Sequence, residues 1–101
     1  MKNNAPGTKY EIKTTATFNK NLKKMYKQNK NINKLMFVVE KLANKEELDI
    51  KYKNHKLIND KYFYECFECH IEPDWLLIYK IEDQKLILLL FATGSHSDLF
   101  D

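Results

Sequence analysis

Three histidines, His55, His70 and His96, are the side chains of this chain whose ordinary titration falls near neutral pH. Two of them flank an acid. His70 opens the stretch His70-Ile-Glu-Pro-Asp74-Trp75, and His96 follows an apolar run that ends at Ala92-Thr-Gly-Ser. Two imidazoles and a carboxylate at strand ends can move protons if the fold brings them together: one histidine deprotonates a nucleophile, another protonates a leaving group, and Asp74 orients a ring. His55 stands apart, flanked by Lys51, Lys53 and Lys56.

Charge narrows the substrate. Formal net charge is +3, but residues 1–60 hold 14 lysines against 6 acids, and residues 61–101 hold 3 against 8. Seven lysines, at 13, 20, 23, 24, 27, 30 and 34, lie between Ile12 and Val39 with no acid among them. Such a surface attracts a polyanion by counterion release. Arginine is absent, so bidentate guanidinium recognition is excluded. RNA fits this balance, because its own 2′-hydroxyl can attack the adjacent phosphate and neither metal nor cofactor is needed. Lys20, Lys23, Lys24, Lys27, Lys51, Lys53 and Lys56 are the expected phosphate contacts, and Trp75, Tyr79 or Phe100 the expected base-stacking surfaces. The competing reading of Trp75 and Tyr79 is core packing.

Cys66 and Cys69 have a CxxC spacing. In an extended strand, residues three apart point to opposite faces about 10 Å from each other. They are expected to be buried thiols, and no metal site is expected.

The elements that must carry these groups are legible in periodicity. Tyr10 and Ile12 alternate with polar neighbours over Lys9–Thr15, as in a short strand. Phe18, Leu22 and Met25, then Ile32, Leu35, Met36, Val39, Leu42 and Ala43, predict an amphipathic helix hairpin. Thr17 or Asn19 is expected to cap the first helix, Asn31 the second, and Asn44 to stop it; Met25 and Met36 read as core. Lys45–Lys61 reads as a long loop anchored by Leu48, Ile50, Leu57 and Ile58. Strands are predicted over Tyr62–Ile71, Asp74–Ile81 and Lys85–Thr93, the first with Phe63, Phe67, Cys69 and Ile71 on one face and Tyr64, Cys66, Glu68 and His70 on the other. A small α+β domain results, a helix hairpin on an antiparallel sheet.

At 101 residues there is room for one domain, placed at 9–101 behind a polar, fraying 1–8. The longest apolar run, Leu86 to Ala92, is far short of a membrane span, and no apolar signal core opens the chain. A cytoplasmic protein with no membrane partner is expected.

The stretch from His70 to Tyr79, together with Ala92-Thr-Gly-Ser-His-Ser-Asp-Leu-Phe100, resembles the YafQ branch of the RelE/ParE toxin superfamily, and Asn54-His55-Lys56-Leu57 resembles that branch's third histidine site. The resemblance implies a RelE-like fold and a ribosome-dependent endoribonuclease, an mRNA interferase held inactive by a cognate antitoxin. The family's catalytic roles carry over to His55, His70, Asp74, His96 and Phe100. Many relatives have Arg where this chain has Ala92; Lys51, Lys53 or Lys56 are candidates to replace its charge. Trp75, Tyr79, Leu99 and Phe100 are the expected anchors for an acidic antitoxin segment. The alternative function is a non-enzymatic ParE-like toxin or an inactive antitoxin-binding homologue.

Overall fold

A computed structural model describes residues 8–100; Met1–Gly7 and Asp101 lie outside the described residues, and with them most of the segment expected to fray. Strand β1 (Glu11–Thr14) leads into α1 (Ala16–Lys27) and α2 (Ile32–Ala43). A 3₁₀ turn (Ile50–Tyr52) and the short β2 (His55–Lys56) follow, then β3 (Phe67–Glu72), β4 (Trp75–Glu82), β5 (Ile87–Gly94) and a one-turn α3 (His96–Phe100).

Thr15, not Thr17 or Asn19, caps α1. It is the first residue after β1 and keeps extended dihedrals; its hydroxyl accepts from the Phe18 amide at 3.0 Å and donates to the Phe91 carbonyl at 2.6 Å. One side chain thus starts the helix and ties it to β5. Asn31 caps α2 by accepting from the Asn33 amide, and Asn44 is its C-cap, as expected.

The sheet order is β1-β5-β4-β3-β2. Strands β2 to β5 pair antiparallel, but β1 lies parallel to β5, so the sheet is mixed where an antiparallel one was expected. A parallel neighbour needs a covered crossover between the strands, and the helix hairpin that follows β1 contributes that cover. The Tyr10 hydroxyl, just before β1, donates to Asp83 in the β4–β5 turn, which pushes its own pKa up to about 12.

Alternation along the strands separates two cores. Toward the helices face Ile12, Cys69, Ile71, Trp75, Leu77, Tyr79, Leu88 and Leu90, packed against Phe18, Met25, Leu35, Val38, Val39 and Leu42. Met36, expected in this core, is 40 % exposed, because the buried stripe of α2 runs through 35, 38, 39 and 42 and turns Met36 and Phe37 outward. Toward the other face lie Cys66, Ile78, Ala92 and Phe63. A β-bulge opposite Ile78 and Tyr79 leaves Phe91 unpaired and puts Ala92 on the face opposite Leu88 and Leu90.

The first of the three long strands begins at Phe67 rather than Tyr62. Asp60 accepts from the amides of Tyr62 and Phe63, and Glu65 has φ 58°, so residues 62–65 form a turn that no strand could contain. Phe63 therefore packs on the face opposite Phe67, not with it. In the segment read as a loop, Leu48 and Leu57 are partly buried anchors, whereas Ile50 and Ile58 are 92 % and 80 % exposed. Among the described residues no helix is long and apolar enough to cross a membrane.

Candidate active site

Strand β3 sets the site. Its alternation sends Glu68 and His70 to the face away from the helices, and pairing of β2 with β3 places His55 directly opposite Glu68. Glu68 is buried, 6 % exposed, and its carboxylate stands between two imidazoles: Oε1 lies 3.5 Å from His55 Nε2 and 3.4 Å from His70 Nε2. Each ring turns its other nitrogen to a backbone carbonyl. His55 Nδ1–H donates to Lys53 at 2.7 Å, and His70 Nδ1–H points to Pro73 at 3.3 Å. Glu68 was not among the expected site residues. Its signal was present, since an acid two residues before His70 must share that histidine's face.

The third histidine arrives on α3. Asp74 Oδ1, at the β3–β4 turn, accepts both the His96 amide at 2.9 Å and His96 Nδ1–H at 2.7 Å. Those two bonds, the amide foremost, hold the Asp74 carboxyl below the usual carboxylate range. They also leave Nε2 of His96 free. The helix itself is set by a reciprocal cap, Asp98 N–H to Ser95 Oγ and Ser95 N–H to Asp98 Oδ2. Lys24 of α1 reaches Asp98 at 2.9 Å and is the main cause of that carboxyl's lowered pKa. At Gly94 a Cβ would come 3.1 Å from that of Asp98, so glycine is what lets the chain turn this tightly into α3.

The outcome is one continuous group: His55, Glu68, His70, His96, Asp74. The His70 and His96 rings lie 5.7 Å apart, and Phe100 lies 6.4 Å beyond His96. Phe63 meets Phe100 edge-on at 5.5 Å and seats α3 on the sheet.

Trp75 does not join this group. It is 1 % exposed on the helix face, its Nε1–H donates to Thr93 Oγ1 at 2.9 Å, and Thr93 in turn donates to the Leu76 carbonyl. Tyr79 is 2 % exposed and donates to Asn54. Neither ring can stack on a base or anchor an antitoxin segment, because packing between sheet and helices already covers both. Phe100, 39 % exposed, keeps that possibility.

The lysines divide as well. Lys51 and Lys53 lie on the turn that leads into His55, and Lys56 is its strand neighbour; all three are exposed, with no carboxylate partner within ion-pair distance among the described residues. Lys20, Lys23 and Lys27 are exposed on α1, in the layer behind the sheet, and only Lys24 touches α3. Ala92 is fully buried between Cys66, Ile78 and Phe63. The cysteines take opposite sheet faces as expected, and burial pushes Cys69 up to about 12, so it is inert as a thiolate.

Glu68, His70 and His96 bring one ligand atom each within 4.8 Å of one another. Two imidazoles and a carboxylate are a donor set suited to zinc or copper, a grouping the sequence reading did not foresee.

Residues 10–101 match the family described as the bacterial toxin of type II toxin–antitoxin systems, YafQ. The mRNA interferase toxin YafQ of Escherichia coli (strain B / BL21-DE3) is 36 % identical over 91 residues, 89 % of this chain and 95 % of that protein. The toxin in the crystal structure of the E. coli DinJ-YafQ toxin-antitoxin complex is 33 % identical and superposes with a TM-score of 0.81 over 92 % of this chain and 99 % of that one. A metal-bound toxin from Helicobacter pylori is 40 % identical, with a TM-score of 0.82 over 88 % of this chain and 97 % of its own.

Proposed function

This chain belongs to the YafQ family of toxins of type II toxin–antitoxin systems, and on that premise we propose that it is a ribosome-dependent endoribonuclease that cuts messenger RNA on the Glu68–His70–His96 face. The observation that carries the reading is the pair of imidazoles 5.7 Å apart, each with Nδ1 fixed by a hydrogen bond, His70 with Nε2 beside the Glu68 carboxylate and His96 with Nε2 toward the site. General acid–base cleavage of RNA needs such a pair. One imidazole takes the proton of the 2′-hydroxyl as O2′ bonds to phosphorus; the other gives a proton to O5′ as the P–O5′ bond breaks. Neither step calls on a metal.

His96 is the mobile proton carrier: Asp74 holds Nδ1–H, stabilises the imidazolium and leaves Nε2 for the substrate. His70 is its partner. Glu68 positions His70 and His55 together, and His55 faces the phosphate from the β2 side. With alanine at 92, charge building on the phosphate is met by the imidazolium groups and by Lys51, Lys53 and Lys56 rather than by a guanidinium. Phe100 stacks on a neighbouring base, and Lys20, Lys23, Lys24 and Lys27 contact more distant phosphates.

The partner that restrains this activity is a cognate antitoxin, a proposal supported by the E. coli toxin's crystallisation with DinJ. An acidic segment that covers or displaces α3 acts on His96 and Phe100 at once, with Leu99 and Phe100 as its apolar anchors.

The test is to add the protein to translating ribosomes and map message ends. Cleavage leaving a 2′,3′-cyclic phosphate and a 5′-hydroxyl is expected. Intact messages would overturn the nuclease reading and leave a toxin that acts by binding alone.

A further inference from the structure

Beside His70 the surface opens into a groove of about 610 Å³ between α2, the 3₁₀ turn and the β3–β4 turn, which His70 lines and His96 does not. We propose that this groove seats the base of a nucleotide next to the scissile phosphate, stacked on Phe37, with Lys51 and Lys53 on the flanking phosphates. The proposal rests on the ribonuclease reading of the adjoining histidines.

Four observations converge on it. First, His70 is itself a wall of the groove, so whatever lies there adjoins the histidine site. Second, Phe37 is 51 % exposed on a helix whose neighbours Leu35, Val38 and Val39 are wholly buried, and its ring borders the groove. Lys41 stands 5.5 Å over that ring and lines a neighbouring depression that Phe37 also borders, and Lys41 does not line the groove itself. Third, the Lys51 and Lys53 ammonium groups have no carboxylate within ion-pair distance among the described residues, and that of Lys51 lies 5.3 Å over the ring of Tyr52, another wall of the groove. Fourth, the acid present is already occupied: Glu72 accepts from Lys34 at 3.0 Å and Lys30 at 3.3 Å, and the Lys34 bond in particular holds it ionised.

Phe37 decides between occupants. A nucleobase offers a π-face to that ring and a hydrogen-bonding edge to Asn33. An acidic peptide would satisfy the lysines but brings no planar ring for Phe37 to stack on. A stacked base with its phosphates on two lysines matches the mixture found in single-strand RNA sites.

The test uses the full chain and two readouts: affinity for a fully 2′-O-methylated hexaribonucleotide, which cannot be cut, and cleavage on ribosomes carrying a defined message. Phe37→Ala is expected to weaken hexanucleotide binding about tenfold, the loss of one stacked base, and to lower cleavage at sub-saturating protein more than at saturation. Phe37→Trp should restore both. Lys51→Ala combined with Lys53→Ala should flatten the salt dependence of binding by about two phosphate contacts. Parent-like affinity of Phe37→Ala would overturn the groove proposal, as would weakened binding of an acidic peptide with RNA binding untouched. If the parent cuts no message, the ribonuclease reading falls and the hexanucleotide titration still judges the groove. If parent and Phe37→Ala cut and bind alike, the groove falls and the ribonuclease reading stands.

Discussion

The two faces of the sheet are built from the same strands and do opposite work. On β3, Phe67, Cys69 and Ile71 turn to the helix hairpin while Glu68 and His70 turn away from it. The helix face is dry: Trp75, Leu77, Leu88, Leu35 and Val38 are almost wholly buried there, and the polar Trp75 nitrogen is satisfied by Thr93. The other face has a thin cover of Phe63, Leu57, Phe91 and the single turn of α3, and all three histidines lie along its rim. A small domain has too little core to place ionisable groups throughout it. Concentrating burial on one face leaves the other free to hold a carboxylate between imidazoles, at a cost in stability that the helix side offsets.

That partition can be broken from either side. The largest effect is expected on the helix face, where Trp75→Ala removes a buried indole and should destabilise the fold by about 3–5 kcal/mol; a denaturant titration reads it, and normal stability with lost cleavage would move Trp75 into the site. Next comes His96→Gln, expected to lower cleavage by roughly 10² or more with an unchanged melting temperature, because the ring is exposed and α3 retains its Ser95–Asp98 cap. A large fall in melting temperature would mean that α3 carries the fold rather than the chemistry. The smallest effect is the acid release of α3. Asp74 and Asp98 both have carboxyls lowered from 3.8 in the folded chain. Their contribution is therefore complete above that value and lost as pH falls through the depressed ones. Contact of α3 with the sheet, read as NOEs between Phe100 and Phe63, should persist down to about pH 4 and be lost only below it; loss between pH 5 and 6 would show that another group holds the helix.

The sequence made the helix hairpin, the three long strands and the histidine–aspartate pairing readable, because periods of 3.6 and 2 are local properties of the chain. The rest depended on events that periodicity does not carry. Phe63 changed sides because Asp60 and Glu65 make a turn ahead of β3, and Ala92 lies opposite Leu88 and Leu90 because Phe91 bulges. Trp75 was visible as a large ring beside a charged motif, but only the helix layer decides whether such a ring is covered. Glu68 was on the page as a face-mate of His70; its importance came from β2 laying His55 across from it, a pairing that two residues of strand cannot announce. Phe37 was passed over for a comparable reason, since one position round α2 separates core from groove.

The claim that binds the site together is that the RNA supplies its own nucleophile and the imidazoles only move protons. Ribosomes programmed with a message carrying one 2′-deoxynucleotide on the 5′ side of the mapped cleavage position test it directly. That message should stay intact at that position while the all-ribose message is cut. Cleavage of the deoxy-substituted message at the same bond would contradict the account and point to attack by water.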